Sequence, residues 1–263
     1  MALRIEGVSK TYGAAYAETE TAAIANIDMV INNHEFVCVV GRSGCGKTTL
    51  LRMVAGLTAP TTGRIVLDDK PVRGPGPDRG VVFQDYALFA WRTAAENIAF
   101  GPKMKGLPVG ERDRIVERYV KLVGLEGFED RYPSALSGGM QQRVAVARAL
   151  ANQPAALLMD EPFAAVDALT RASLQEELTK IWLAERPLVL FVTHSVDEAV
   201  FLADRVVVLG DRPSVIVAEF RVNVDRPRRW KELMDHPAFN DLRHRVLEAI
   251  GRAAETANGG RHG

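Results

Sequence analysis

Residues 41–48 have the sequence Gly-Arg-Ser-Gly-Cys-Gly-Lys-Thr, which fits the pattern G-x-x-x-x-G-K-[ST]. The run Phe36–Val40 before it is continuously apolar, as in a strand buried on both faces, and the run Thr49–Gly56 after it is compatible with a helix. A glycine-rich turn between such elements points backbone N–H groups inward, and the helix N-terminus adds positive potential. The stretch therefore predicts a phosphate-binding loop, with Lys47 reaching the β/γ oxygens of a nucleotide and Thr48 coordinating Mg²⁺. Its predicted binding residues are Gly41, Arg42, Ser43, Gly44, Cys45, Gly46, Lys47, Thr48 and Thr49.

Short β-branched, apolar runs recur along the chain and alternate with helical periods. Ile115, Tyr119 and Leu122 share one helix face, and Ser195–Glu198 has the form of a capping box that opens a helix directly after a strand. This alternation predicts an α/β protein with a central, mostly parallel sheet. The predicted strands are Leu3–Val8, Ile27–Ile31, Phe36–Val40, Arg64–Leu67, Val81–Phe83, Ala156–Asp160, Leu188–Val192 and Arg205–Leu209.

The domain organisation follows from where strands are missing. From about Asp85 to Asn152 the sequence is helix-rich, which predicts a helical lobe (85–152) inserted into a discontinuous core (1–84 and 153–224). Residues 225–263 are predicted to form a linker, an amphipathic helix and a disordered tail with the sequence ETANGGRHG. The helix should bury Phe239, Leu242, Val246 and Ile250.

Composition excludes several classes of protein. Lys plus Arg balances Asp plus Glu at 33 each, so no global field favours nucleic acid. Two cysteines make no disulfide framework, and the N-terminus lacks an apolar signal segment. Apolar runs such as Phe36–Val40 and Leu188–Val192 have five residues, far too short to span a bilayer, so we expect a soluble chain with any membrane role supplied by a partner. The basic cluster Arg226, Arg228, Arg229 and Lys231 is expected to be a solvated face.

A second motif is the apolar run Ala156–Met159, which is followed directly by Asp160 and Glu161. An isolated Asp-Glu pair would ordinarily be a solvated strand end. Downstream of a phosphate loop, however, Asp160 is expected to hold Mg²⁺, directly or through water, and Glu161 to polarise the attacking water as general base.

A third element is Leu136-Ser137-Gly138-Gly139-Met140-Gln141, followed by a predicted helix at Gln142–Ala151. The free N–H groups of the helix and the Ser137 hydroxyl predict a second anion site; the alternative is an ordinary helix N-cap with flexible glycines. Two phosphate-binding elements in one chain favour head-to-tail pairing, in which each ATP lies between one subunit's loop and the other subunit's Ser-Gly-Gly.

With these three elements in this order, the sequence resembles the ATPase subunits of ABC transporters over essentially residues 1–250. The resemblance implies a P-loop NTPase (RecA-like) core with a parallel sheet, an antiparallel β subdomain and the inserted helical lobe. It also implies that Gln84 senses Mg²⁺ and the γ-phosphate, that His194 contacts the γ-phosphate, and that Ala165-Val166-Asp167 crosses the dimer interface. Taken alone, His194 would be a strand-end histidine and Gln84 a polar cap.

Three features depart from the family pattern. Met140 replaces the usual Gln, and Ala165-Val166 replaces the usual Ala-Leu. The loop after Tyr12 is stretched, so either Tyr12, the family's adenine-stacking aromatic, or Tyr16 stacks on adenine.

For Cys45 two alternatives stand: a thiol with a depressed pKa that reacts with thiol reagents, or a small residue that fills a tight loop.

Two stretches, Gly74–Gln84 and Leu88–Gly101, resemble the nitrate/sulfonate/taurine branch of bacterial importers. The resemblance implies a homodimer on the cytoplasmic face of the inner membrane, a two-subunit permease, and indirectly a periplasmic solute-binding protein, without identifying the solute. Phe89 and Trp91 are candidates for the groove that receives a permease helix, the alternative being a buried core Trp.

Two other classes of protein are considered: a soluble ABC ATPase of DNA repair or translation, and a regulatory nucleotide-binding module. The first typically needs a coiled-coil insertion or second ATPase domain, and the second would not need both Glu161 and His194.

Overall fold

The computed structural model describes residues 2–13, 20–164 and 166–259, with side chains as far as residue 253. The chain divides into two compact units. Unit 1 comprises Met1–Gly76 and Leu188–Gly263, and unit 2 comprises Pro77–Pro187. The domain boundaries inferred from the sequence stay predictions.

The strands of the described residues are, in chain order, β1 (Ala2–Tyr12), β2 (Thr21–Asn32), β3 (Phe36–Val40), β4 (Thr62–Leu67), β5 (Lys70–Pro71), β6 (Arg79–Val82), β7 (Ala156–Asp160), β8 (Leu188–Thr193), β9 (Arg205–Leu209) and β10 (Ile216–Arg221). The helices are α1 (Lys47–Val54), α2 (Ala94–Met104), α3 (Val109–Leu122), α4 (Gly138–Leu150), α5 (Ala168–Glu185), α6 (Val196–Leu202), α7 (Trp230–Leu233) and α8 (Pro237–Gly259), with a 3₁₀ turn at Pro133–Ala135.

Unit 1 contains two sets of strands. An antiparallel sheet has the order β2-β1-β4-β5. In the second set, β3 lies between β8 and β9 and is parallel to both, and β10 pairs antiparallel with β9. Every residue of β3 and β8 is buried, which explains their unbroken apolar sequences, because strands covered on both faces need no polar alternation.

Unit 2 combines a parallel strand pair, β6 and β7, with helices α2 to α5. Helix α2 packs against α3 and α4. It begins at a capping box, because the Thr93 hydroxyl accepts from the Glu96 N–H while the Glu96 carboxylate accepts from the Thr93 N–H. Residues 85–152 contain helices and no strand, as the sequence predicted.

The predicted α/β architecture, with parallel strands and an antiparallel β subdomain, is confirmed, and the bounds of β3, β7 and β9 coincide with those predicted. The sequence did not reveal β10, which has no buried residue and therefore no continuous apolar run. Helix α4 begins at Gly138 rather than Gln142, because Ser137 is its N-cap. Helix α8 continues to Gly259, through part of the predicted disordered tail; Ala254, Glu255 and Ala257 favour helix, and residues 260–263 lie outside the described range.

The basic cluster after β10 is not a fully solvated face, contrary to the sequence expectation. Arg228 is buried and donates hydrogen bonds to the carbonyl oxygens of Val200, Phe201 and Ala203 at the end of α6. Burial lowers the pKa of Arg228 to about 10. Carbonyl groups at a helix C-terminus lack intrahelical donors, so a guanidinium with several N–H groups satisfies them, whereas Arg229 remains exposed.

Candidate active site

The phosphate loop of unit 1 joins β3 to α1. Gly41–Gly46 form the loop, and Lys47, Thr48 and Thr49 form the first turn of the helix. The Lys47 side chain is buried, and its Nζ donates to the carbonyl oxygens of Gly41 at 3.0 Å and Arg42 at 3.1 Å. These two hydrogen bonds hold the ammonium group of Lys47 against the phosphate loop.

Neighbouring segments of unit 1 hold this loop in place. Ser214 is fully buried, and its hydroxyl donates to the carbonyl oxygen of Cys45. Arg42 forms an ion pair with Asp211 at 3.3 Å. Sequence reasoning missed Ser214, which lies 169 residues from Cys45 and has no motif around it.

Cys45 is buried in the loop beside Lys47. Burial raises the pKa of its thiol, and the opposing effect of the nearby Lys47 charge is smaller. The alternative of a depressed pKa is therefore wrong, because removing the thiolate from water outweighs one nearby cation. A small side chain filling a tight loop is the interpretation that fits.

His194 and the phosphate loop leave the parallel strands of unit 1 at the same edge. Val40 is the partner of Thr193 in the β3–β8 ladder, so Gly41 and His194 follow paired residues. His194 is exposed. The Thr193 hydroxyl donates to the Glu198 carboxylate at 2.6 Å and accepts from the N–H of Ser195, which fixes the turn that carries His194.

Tyr12 lies at the end of β1 and is 46% exposed, with the Lys10 ammonium 5.1 Å from the ring centroid. An exposed ring of this kind can stack on a base. Tyr16 lies outside the described residues, so the choice between the two tyrosines stays open.

In unit 2, Asp160 is the last residue of β7 and Glu161 follows it, while Gln84 lies two residues beyond the end of β6. Val82 is the partner of Met159 in the parallel β6–β7 ladder, so these side chains belong to the same edge of the strand pair. Asp160 is buried and Gln84 is exposed. Glu161 has a φ of 44°, a left-handed conformation that is costly for a residue with a Cβ. Such conformations concentrate at functional sites, where the surrounding structure holds them.

Ser137 is the N-cap of α4, and its Oγ accepts from the Met140 N–H at 3.3 Å. The ordinary N-cap is thus present, and the N–H groups of Gly138 and Gly139, in the first turn, lack intrahelical acceptors and can meet an anion. This turn packs on α5, because a Cβ added to Gly139 would meet Leu174 at 3.4 Å.

Asp167 caps the N-terminus of α5 by accepting from the Thr170 N–H at 3.1 Å. Hydrogen bonding to Thr170 lowers the pKa of this exposed carboxyl below its ordinary value. The structure therefore brings Asp167 and the Ser-Gly-Gly turn to packed helix ends within unit 2. Ala165 lies outside the described residues.

The segment after Gln84 presents aromatic side chains. Trp91 is 73% exposed, so the alternative of a buried core Trp is wrong. Its ring lies 5.6 Å from that of Phe89, which in turn lies 4.6 Å from Phe100. Asn97, fully buried, accepts from the Phe89 N–H and donates to the carbonyl oxygens of Phe89, Arg92 and Thr93, so one amide shapes the whole segment.

A groove of about 360 Å³ lies between α2 and α3. Its apolar lining comprises Ala95, Ala99, Val116 and Val120, and its acidic lining comprises Glu96, Asp113, Glu117 and Glu129. Among the described residues, no helix has the length and apolar character to cross a bilayer.

A glycine-rich loop between a buried parallel strand and a helix, in a chain that also has carboxylates at the end of another strand, defines a P-loop nucleotide-binding protein. The ABC transporter family model matches residues 24–164. The chain belongs to the ABC transporter family as an ATP-binding subunit, and it is an ATPase of the kind coupled to transport.

Relatives and solved structures agree with this assignment. An uncharacterised ABC transporter ATP-binding protein of Methanocaldococcus jannaschii is 55% identical over 94% of this chain and 91% of its own length. The nitrate import ATP-binding protein NrtD of Synechococcus elongatus is 45% identical over 88% of this chain and 85% of its own. The bicarbonate transport ATP-binding protein CmpC of Synechococcus elongatus is also 45% identical, over 92% of this chain and 37% of its own.

Among solved structures, a dimeric post-hydrolysis state of an ATP-binding cassette bound to ADP and Pi has a TM-score of 0.73 and 30% identity. The similarity covers 85% of this chain and 100% of that cassette. The predicted resemblance to the family, and to the branch that contains the nitrate importer, is therefore confirmed.

Proposed function

We propose that the chain hydrolyses Mg-ATP as one of two identical subunits paired head to tail, and that it thereby drives the permease of an importer. The transported solute would be nitrate, a sulfonate, taurine or a similar small solute. One observation carries the proposal: a single chain has two helix N-termini suited to phosphate, one behind the loop at Lys47 and one at Ser137.

Head-to-tail pairing gives both N-termini a function. Each ATP would contact the phosphate loop of one subunit and the Ser-Gly-Gly turn of the other. Asp167, beside that turn, would reach across the same interface, and Tyr12 or Tyr16 would stack on adenine. The dimeric state of the structurally similar cassette supports this arrangement.

Mg²⁺ would be held by the Thr48 hydroxyl, the Asp160 carboxylate and the Gln84 amide oxygen. These are hard oxygen donors with a single carboxylate, the set that suits Mg²⁺ bound together with phosphates. A bound Mg²⁺ would neutralise charge on the phosphate oxygens.

Glu161 is the proposed general base, which takes a proton from the attacking water. The constrained backbone at its strand end would hold the carboxylate in one position. Lys47 and His194 would contact the transferred phosphoryl group, where negative charge is spread over the equatorial oxygens. Positioning and electrostatic stabilisation supply most of the rate in such reactions, so each residue acts mainly through its placement.

The surface formed by Phe89 and Trp91 is proposed as the docking site of the permease. A highly exposed Trp that lies against a second aromatic ring is typical of the centre of a protein interface. This docking would place the chain on the cytoplasmic face of the inner membrane, with a periplasmic solute-binding protein acting through the permease and no role for nucleic acid. The core and helical-lobe boundaries given above are part of the same proposal.

The test is ATP turnover by Glu161→Gln. We expect this variant to bind ATP but to lose turnover by several orders of magnitude, on the scale that positioned bases and charges contribute. It should also accumulate a dimer that retains ATP. Glu111→Gln, an exposed glutamate on α3, is the matched control and should turn over normally. Near-normal hydrolysis by Glu161→Gln would reject the assignment.

A further inference from the structure

The turn segment Asp85–Phe89, directly after Gln84, has an unusual backbone. Tyr86 and Ala87 have φ values of 59° and 45°, two consecutive residues with a Cβ in the left-handed region. The Ala87 N–H donates to the Asp85 carbonyl oxygen at 2.7 Å, which makes Tyr86 the centre of a three-residue turn with positive φ, a rare and strained form. In addition, the Tyr86 hydroxyl is buried without a hydrogen-bond partner among the described residues.

A conformation of this kind persists only when other contacts hold it. Arg148 of α4 provides them. Its Nη1 donates to the carbonyl oxygen of Ala87 at 2.6 Å and its Nη2 to that of Tyr86 at 2.9 Å, while the guanidinium carbon lies 5.4 Å from the Phe89 ring centroid. One rigid guanidinium thus contacts both strained residues and the aromatic residue that follows them. Burial lowers the pKa of Arg148, because removing the guanidinium from water disfavours its charged form.

Arg148 also belongs to α4, the helix whose N-cap is Ser137. The two residues are eleven positions apart on α4, a distance of about 16 Å along the helix axis. A helix of this length moves as a rigid body, so a displacement of the Ser137 end is carried to the Arg148 end. Backbone strain is common in segments that switch between arrangements, so the strained turn is the segment at that end suited to respond.

We propose that Arg148 is a positioning residue that couples the Ser137 end of α4 to the turn segment Asp85–Phe89. Nucleotide bound at Ser137 then changes the positions of the Phe89 and Trp91 side chains. The inference rests on the proposed function, because it takes the ligand at Ser137 to be ATP. The strain in Tyr86 and Ala87 gives the turn a second arrangement to which it relaxes when the Arg148 contacts shift.

The experiment uses the full chain labelled with 5-fluorotryptophan, which gives three ¹⁹F resonances because the sequence has 3 Trp. The Trp91 resonance is assigned by its absence in Trp91→Phe. Spectra are recorded with and without a non-hydrolysable ATP analogue and Mg²⁺, and ATP binding and turnover are measured on each variant. We expect a nucleotide-dependent shift of the Trp91 resonance in the unaltered protein, reduced roughly two-fold or more in Arg148→Met, the size of effect seen when a coupling residue is removed.

Arg143→Met is the matched control. Arg143 lies on the same helix and also donates to two carbonyl oxygens, those of Val123 and Gly124, but it does not contact the turn segment. This variant should lose stability comparably and keep the Trp91 shift. Arg148→Lys keeps the charge but cannot bind both carbonyl groups in a fork, so its Trp91 shift should also be reduced.

The outcomes separate the inference from the proposed function. Absence of ATP turnover in the unaltered protein contradicts the proposed function. Turnover without a nucleotide-dependent Trp91 shift, or an undiminished shift in Arg148→Met with nucleotide bound, overturns the inference alone. If both Arg148 variants fail to fold while Arg143→Met folds, Arg148 serves stability only and the inference is also overturned.

Discussion

Gly46, the last residue of the phosphate loop, should resist substitution more strongly than its neighbour Gly44. Gly46 has a φ of 110°, and a Cβ added there would lie 3.2 Å from the Ala23 carbonyl oxygen, 3.2 Å from Ile24 Cγ1 and 3.3 Å from Ser214 Oγ. Gly44 also has a positive φ, 78°, but a Cβ there would have nothing within 4 Å. The two positions share the backbone cost of a non-glycine residue at positive φ and differ in crowding.

The backbone cost alone predicts a loss of roughly 1 kcal/mol in the free energy of unfolding for Gly44→Ala. Gly46→Ala adds contacts that the backbone of β2 cannot easily relieve, so we expect a loss of about 2–4 kcal/mol. Urea unfolding of both variants measures the difference, as a lower midpoint at an unchanged slope. Equal losses in the two variants, or a smaller loss in Gly46→Ala, would refute the crowding argument.

Two further predictions concern the proposed docking surface and the cysteines. Replacing both Phe89 and Trp91 with Ala should weaken assembly with the permease by about 2 kcal/mol or more, as for aromatic interface residues, while the isolated subunit folds and binds ATP; a subunit that fails to fold would contradict a surface role. Cys38 and Cys45 are both buried, and burial raises both pKa values, so native protein should label far more slowly with iodoacetamide at pH 8 than urea-unfolded protein; rapid native labelling of Cys45 would contradict the described loop.

Short stretches of sequence were sufficient to predict features that depend on neighbouring residues alone. Continuous apolar runs predicted β3, β7 and β8, because strands buried on both faces need such runs. The phosphate loop, Asp160 with Glu161, and Ser137 were found because each motif lies where a strand ends or a helix begins. The same reasoning placed Gln84 and His194 at strand ends, which the β6–β7 and β3–β8 ladders bear out.

Contacts between residues far apart in the chain could not be predicted from the sequence. Arg148 meets the carbonyl group of Tyr86 62 residues away, and a basic residue on a helix gives no sign of such a partner. Arg228 had the appearance of a solvated charge, although it satisfies the end of α6. The thiol of Cys45 was similarly ambiguous, because its pKa depends on burial, which the motif does not encode.

The central claim, that each ATP is shared by two subunits, is tested by mixing two defective proteins. Lys47→Ala homodimers and Ser137→Ala homodimers have both sites damaged. A heterodimer with one mutation in each subunit has one site with both defects and one site in which an intact phosphate loop faces an intact Ser-Gly-Gly turn.

The measurement is ATP retained in the dimer, or ATP hydrolysis, as a function of mixing ratio and protein concentration. The account predicts recovery of one competent site per heterodimer, with a second-order dependence on protein concentration because a monomer holds no complete site. If Lys47 and Ser137 served the same ATP within one chain, every subunit in the mixture would remain defective. No recovery of ATP retention at any mixing ratio, with heterodimers shown to form, would contradict the claim.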